Sequence, residues 1–196
     1  MIDNKQLRWD LYFLQLCIDT AKMSRDPSTR VGALIVGPDR EIRSTGFNGF
    51  SRGIADTPER LNDRETKLKL VVHGEMNAVL AAARVGIPTK GCTLYLAATD
   101  KSGATWGGSP CSRCVVEVIQ AGIVEVVSFP KKAVPSKWHE DLALAEALLR
   151  EAGVVYREVP DLANPLVRHL QDRDGEVFVD REGCFRNPAT VTEKHG

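Results

Sequence analysis

The sequence lacks any apolar run approaching the roughly 18 residues of a membrane span. It also lacks net charge, because 26 Lys and Arg balance 26 Asp and Glu with His neutral. Binding to long nucleic acid draws on counterion release by a basic face, so that mode of life is disfavoured. A small anionic ligand stays compatible. Cysteine is sparse and odd in number, five residues (Cys17, Cys92, Cys111, Cys114 and Cys184), which excludes a disulfide scaffold. There is no internal repeat and no low-complexity tract. The first thirty residues carry Asp3, Asp10 and Asp19 and lack the layout of a secretory leader, so a cytoplasmic setting is expected. What is present, 196 residues at 43% apolar and 27% charged, describes one globular domain with an appendage.

Trp9, Tyr12, Phe13, Leu16 and Cys17 recur at helical spacing and predict an amphipathic helix from about Leu7 to Ser24, broken by Arg25-Asp26-Pro27-Ser28. Val31 to Gly37 and Ile42 to Phe47, separated by Pro38-Asp39, predict an antiparallel hairpin that runs into a Gly46-Phe47-Asn48-Gly49 loop. Asp56 to Lys69 is polar and weakly periodic and reads as a long loop with room for one helical turn. Three later stretches end alike, at Val85-Gly86-Ile87, Ala121-Gly122-Ile123 and Ala152-Gly153-Val154, with Gly where a left-handed cap is wanted. They predict helices near 74–85, 111–121 and 138–152, alternating with strands at Thr93 to Ala98, Val124 to Phe129 and Val154 to Val159. Such alternation implies a parallel portion of a sheet, and with the hairpin makes five strands in one mixed sheet of an α/β fold. Residues 1–160 form this unit. Residues 161–196 read as an appendage with a small hairpin, Gly175 to Val179 against Gly183 to Phe185, and a tail.

The chemistry is concentrated in His73-Gly74-Glu75 and Pro110-Cys111-Ser112-Arg113-Cys114. One imidazole and two thiolates are three zinc ligands, and three protein ligands with a fourth position for water is the layout of a catalytic Zn²⁺. Both groups fall at expected helix starts, where partly positive amides favour the thiolate. Residues two apart in a regular helix point to opposite sides, so His73 and Glu75 serve one site only if His73 lies on the first turn. A carboxylate beside zinc-bound water can take its proton and pass it on. H-x-E followed by P-C-x-x-C, with Glu as proton shuttle, is the general signature of zinc deaminases. Other readings stay open: a closed structural zinc site completed by Cys17, Cys92, Cys184, His139 or His169, or a thioredoxin-like Cys111-x-x-Cys114 that leaves His73 and Glu75 idle.

From about Trp9 to Pro160 the chain resembles the deoxycytidylate (dCMP) deaminases of the cytidine deaminase superfamily. The likeness is carried by Ser24 to Ala33 (SRDPSTRVGA), Gly46-Phe47-Asn48-Gly49, His73 to Ala78, Gly91 to Tyr95, Pro110 to Cys114, Gln120 to Ile123 and Lys137-Trp138-His139. The zinc motif is superfamily-wide, and the Asp-Pro-Ser-Thr and Gly-Phe-Asn-Gly stretches narrow it. The resemblance implies a three-layer α/β/α fold, hydrolysis of dCMP to dUMP and ammonia, and a homo-oligomer, commonly a hexamer. It also implies that Asn48 contacts the sugar or base, that Thr29 and Arg30 border the substrate, and that Mg²⁺ with dCTP or dTTP acts at an allosteric site near the Gly-Phe-Asn-Gly loop. Arg30 suits the nucleotide phosphate, with Arg52, Lys131, Lys132 and Lys137 as competitors. Trp138 and His139 either pack the last helix or edge the pocket.

Three departures stand out. Gly74 replaces the family's usual Ala while offering the same backbone N–H, and Phe50-Ser51-Arg52-Gly53 replaces the usual Pro-containing loop. The segment Thr99 to Ser109 is an insertion next to the thiolates. Either it is a solvent loop with Trp106 on the surface, or it is a lid in which Trp106 stacks on the ring and the flanking glycines hinge. A lid would suit a modified pyrimidine nucleotide. Deamination of another amino-heterocycle, a free base or a nucleic-acid base, and a non-catalytic zinc-stabilised nucleotide-binding module, are the competing functions.

Overall fold

A computed structural model describes residues 4–131, 134 and 136–160, together with the backbone of four two-residue strands between 171 and 186. The core is a mixed sheet in the order β2-β1-β5-β7-β8, built from β1 (Thr29–Val36), β2 (Ile42–Phe47), β5 (Thr93–Asp100), β7 (Glu125–Ser128) and β8 (Val155–Glu158). β1 runs antiparallel to β2 and β5, whereas β5, β7 and β8 are parallel. A sixth strand goes beyond the expected five. It is β6 (Thr105–Trp106), which pairs with the end of β5. A separate short pair joins β3 (Gly49–Phe50) to β4 (Val71–Val72).

The period of two along each strand sorts side chains between two helical layers. Leu34, Val36, Tyr95, Ala97 and Val127 pack against α1 (Asn4–Ala21). Ala33, Ile35, Leu94, Leu96 and Val126 face the other way, into a core shared with α4 (Gly74–Val85), α5 (Ser112–Gln120) and α6 (His139–Glu151). The result is the expected α/β/α sandwich. Gly46 lets the layers close, since a Cβ there would lie 2.3 Å from backbone atoms of α4.

The three glycine stops form as expected. Gly86, Gly122 and Gly153 have φ of 75°, 78° and 72°. After each, the next amide bonds back into the last turn, as Val154 N does to Leu149 O at 2.9 Å. The segment before the first site motif departs from expectation, because it holds two short helices, α2 (Pro58–Asn62) and α3 (Arg64–Leu70). Neither buries a residue, so no apolar period marks them. Thr57 and Asp63 start them by accepting the backbone N–H of Arg60 and Thr66. Beyond residue 160, Phe178–Val179 pairs antiparallel with Phe185–Arg186, while Gly175–Glu176 pairs with Gln171–Asp172 instead.

One buried charge ties α1 to the sheet. Asp10 is fully buried and accepts from the Tyr95 hydroxyl at 2.8 Å, from Gln6 Nε2 at 2.9 Å and from both Arg157 Nη atoms at 2.7 and 3.1 Å. Arg157 Nε also donates to Glu125 at 2.8 Å. This network holds the Arg157 pKa above its ordinary value, the hydrogen bond to Asp10 coming first, while burial followed by the Asp10 charge raises that of Tyr95. Removing one partner of a buried pair strands the other charge, at a cost of about 3–5 kcal/mol. Arg157→Met is therefore expected to lower Tm by about 10 °C, as calorimetry of the zinc-loaded protein would show.

Candidate active site and metal centre

The site lies at the carboxyl end of β5, where two helices begin side by side. His73 caps α4 with extended backbone (φ −69°, ψ 160°), and Cys111 caps α5 in nearly the same conformation (φ −64°, ψ 162°). His73 thus sits outside the helix proper and Glu75 inside its first turn, which removes the two-residue conflict. Cys114, three residues into α5, shares a face with Cys111. His73 Nδ1 approaches the sulfur of Cys111 to 3.4 Å and that of Cys114 to 3.3 Å.

These distances fit a metal. Ligands 2.0–2.3 Å from a tetrahedral Zn²⁺ stand about 3.6 Å apart, and all three donor atoms here lie within 4.8 Å of one another. In the cluster itself the Cys111 thiol is pushed down, first by the hydrogen bond from Cys114 and then by His73, with burial opposing. The bond to Cys111 raises the His73 imidazole to about 9. An acidic thiol against a basic imidazole is a donor set ready to exchange its protons for a cation. Among the described residues no fourth ligand joins. Cys17 and Cys92 are buried in the two cores, and His139 Nε2 lies 3.1 Å from the carbonyl oxygen of Val134. Cys184 and His169 lie outside the described residues.

Glu75 is 4% exposed, and its Oε2 is a buried side-chain oxygen without a hydrogen-bond partner. Burial, partly countered by His73, raises its carboxyl above the ordinary range. A carboxyl so placed can hold a proton and give it up again.

In front of Glu75 and His73 opens a cavity of about 640 Å³. Thr29, Trp106 and Trp138 line it. Asn48 lines it too, but its Oδ1 accepts from Val31 N at 2.7 Å and its Nδ2 donates to Thr29 O at 2.9 Å, so it chiefly braces β1. Gly74 is buried, and a Cβ there would stand 3.1 Å from Val31 O. Two expectations fail. Arg30 alternates with Thr29 and Val31 along β1, so it projects from the opposite face of the sheet into a different cavity. His139 is exposed and does not line the cavity. Of the competitors, Arg52 lines a separate cavity beside Gly49 and Lys131 pairs with Glu146. Lys132 and the Lys137 side chain lie outside the described residues.

The insertion is a paired hairpin with an exposed turn and with Trp106 in the cavity wall. Asp100 Oδ1 accepts from Ser102 N, Ser102 Oγ and Ala104 N at 2.8, 2.6 and 3.1 Å, closing a tight turn between β5 and β6. Trp106 pairs with Ala98 in register and therefore shares its cavity-facing side. A Cβ on Gly107 would fall 1.8 Å from Phe129 O, so this glycine allows close packing against the sheet. Sequence reasoning also missed Asp141, on α6. Its carboxylate accepts from Ser112 N at 3.0 Å and from the Ser112 hydroxyl, fixing the start of the helix that carries both thiols. A lone Asp in an acidic first turn gives no signal of that contact.

The cytidine and deoxycytidylate deaminase zinc-binding region matches residues 7–129, a span that contains all three ligand candidates. The chain belongs to this deaminase family. Membership makes it a hydrolytic deaminase with a zinc-binding region. It is 34% identical to deoxycytidylate deaminase of Mus musculus over 157 residues, covering 78% of this chain and 80% of the mouse protein. With the Homo sapiens deoxycytidylate deaminase the identity is 33% over the same shares. Its fold is similar to the dCMP deaminase of cyanophage S-TIM5 crystallised with dCMP and dUMP, with a TM-score of 0.55 at 18% identity, over 81% of this chain and 99% of that one. No described helix is long and apolar enough to cross a membrane.

Two outcomes are expected. Cys111→Ala should purify with under about a tenth of an equivalent of zinc by elemental analysis, since two ligands hold the ion poorly. Gly107→Ala should destabilise the fold by about 2 kcal/mol in urea melts, because its methyl group has no room against the backbone of Phe129.

Proposed function

We propose that the chain deaminates dCMP hydrolytically to dUMP and ammonia. The observation that carries this reading is the buried Glu75 carboxyl, its Oε2 without a hydrogen-bond partner, beside the His73, Cys111 and Cys114 cluster in a cavity large enough for a nucleotide. The deoxycytidylate deaminases that resemble it along most of their length supply the choice of base.

His73, Cys111 and Cys114 are assigned as ligands of Zn²⁺, which when bound supplies the Lewis acidity that makes water nucleophilic at neutral pH. Glu75 accepts the proton of the attacking water at Oε2 and delivers it to N3 as the C4–O bond forms. The same carboxylate then takes the proton of the C4 hydroxyl and passes it to the exocyclic amine, so that the C4 carbonyl forms as the C4–N bond breaks and ammonia leaves. Leu96, Trp106 and Trp138 enclose the base, while Thr29 and the Asn48-braced strand edge the sugar side. Burial raises the Glu75 carboxyl and so strengthens it as an acceptor of the water proton, while the enclosed site spares it competition from bulk water.

Residues 1–160 are read as the deaminase unit and 161–196 as its appendage. Homo-oligomerisation, a cytoplasmic setting and control by dCTP or dTTP with Mg²⁺ belong to this reading on family resemblance. A cavity of about 370 Å³ lined by Arg25, Phe50 and Arg52 adjoins Phe47 and Gly49 of the Gly46-Phe47-Asn48-Gly49 loop, which supports a seat for such a triphosphate. One observation favours a second reading. Because the inserted hairpin puts Trp106 into the cavity wall, a 5-substituted dCMP is the alternative substrate.

The test is ammonia release from dCMP, 5-methyl-dCMP, CMP, deoxycytidine, cytosine and guanine. Zinc-loaded wild type should prefer dCMP. Glu75→Gln should retain zinc and lose at least about 100-fold in kcat. Full turnover by that variant, or turnover of guanine alone, sinks the proposal.

A further inference from the structure

The cavity in front of Glu75 carries its charges unevenly. Asp26 and Lys67 both line it and cancel each other, 3.1 Å apart with side chains 10% and 14% exposed. Glu75, His73 and Cys111 belong to its floor. Among the lining residues that leaves Arg64, on α3, and Lys101, in the turn of the inserted hairpin. Both are exposed, and neither has an ion-pair partner among the described residues.

Two uncompensated cations at the mouth, with a buried carboxyl at the floor, orient a ligand. Its uncharged ring goes inward and its anionic end stays outward, where hydration is lost least. Their summed charge matches a phosphomonoester dianion. Arg64 offers a fork for two phosphate oxygens, and Lys101 a mobile point charge.

We infer that Arg64 and Lys101 bind the 5′-phosphate of the substrate and so make the enzyme prefer a mononucleotide to a nucleoside. This rests on the deaminase reading above. Arg30, on the opposite face of β1 from Thr29, lines only the adjoining cavity of about 510 Å³, whereas Lys101 borders both cavities. The insertion thereby shapes substrate choice twice over, because its turn carries a specificity-determining cation and its return strand carries Trp106. A phosphodiester, with one charge and a further nucleotide on the same oxygens, matches the pair less well than a monoester.

The experiment measures kcat and KM for dCMP, deoxycytidine and a single-stranded cytosine oligonucleotide at low and high salt. It compares the zinc-loaded full chain with Arg64→Ala, Lys101→Ala and the double variant. Each single change should raise KM for dCMP about tenfold and the double about a hundredfold, the effect falling on KM rather than kcat. The ratio of kcat/KM for dCMP over deoxycytidine should fall in step, and the salt dependence of KM should flatten. Arg64→Lys and Lys101→Arg should each recover part of the loss. Zinc content and circular dichroism report that the variants are folded. A double variant with the wild-type preference for dCMP overturns this assignment and leaves the deaminase reading standing. A wild type that deaminates no 5′-monophosphate overturns both. A wild type that prefers a single-stranded cytosine oligonucleotide to dCMP overturns the monoester assignment.

Discussion

Two thiol sulfurs and an imidazole nitrogen meet in this protein because two helices begin at the same end of one sheet. His73 and Cys111 each occupy the extended residue just before a helix, and Cys114 follows one turn later. Were either helix to start a residue earlier, the 3.4 Å and 3.3 Å approaches of His73 to the sulfurs would be lost, and a shift of α4 would also rotate Glu75 out of the cavity. Much of the surrounding structure serves to hold that alignment. Gly46 lets α4 press on the hairpin, and Asp141 of α6 pins the first turn of α5.

The opposite layer solves a different problem. Helix α1 touches no part of the cavity, yet it carries the fully buried carboxylate of Asp10 onto Tyr95 and Arg157, joining three elements through one charge. A purely apolar contact would bury the same area with less directional constraint. Here the bidentate Arg157 contact fixes the angle between α1 and β8 as well as their distance. The sheet is thereby held firm on one side while the other carries the chemistry.

Between these layers the insertion shows how a short segment remodels a pocket without adding a domain. Antiparallel pairing with β5 extends the sheet by one small strand, and Gly107 lets the returning chain lie against the backbone of Phe129. The wall formed by Trp106 and the Gly107–Ser109 run is therefore part of the scaffold. Gly108 N donates to Ser128 Oγ at 3.1 Å, and that hydroxyl in turn donates to Leu96 O at 2.9 Å.

The local sequence is enough for α4, α5 and α6 with their glycine stops, for the alternation that makes β5, β7 and β8 parallel, and for the His73-x-Glu75 and Cys111-x-x-Cys114 motifs taken one at a time. All of these follow from spacing over a few residues, where the chain's own periodicity and cap chemistry dominate. Helices α2 and α3 escape it because they bury nothing and so leave no apolar period. Arg30 lies away from the cavity because strand alternation sets it opposite Thr29, and proximity in sequence to a cavity-lining residue does not reveal that. The contacts of Asp10 with Arg157 and of Asp141 with Ser112, and the company of Arg64 and Lys101 in one cavity, join residues distant in sequence. Those are decided by tertiary packing alone, because a charge acquires a partner, or goes without one, only when the sheet has brought its neighbours together.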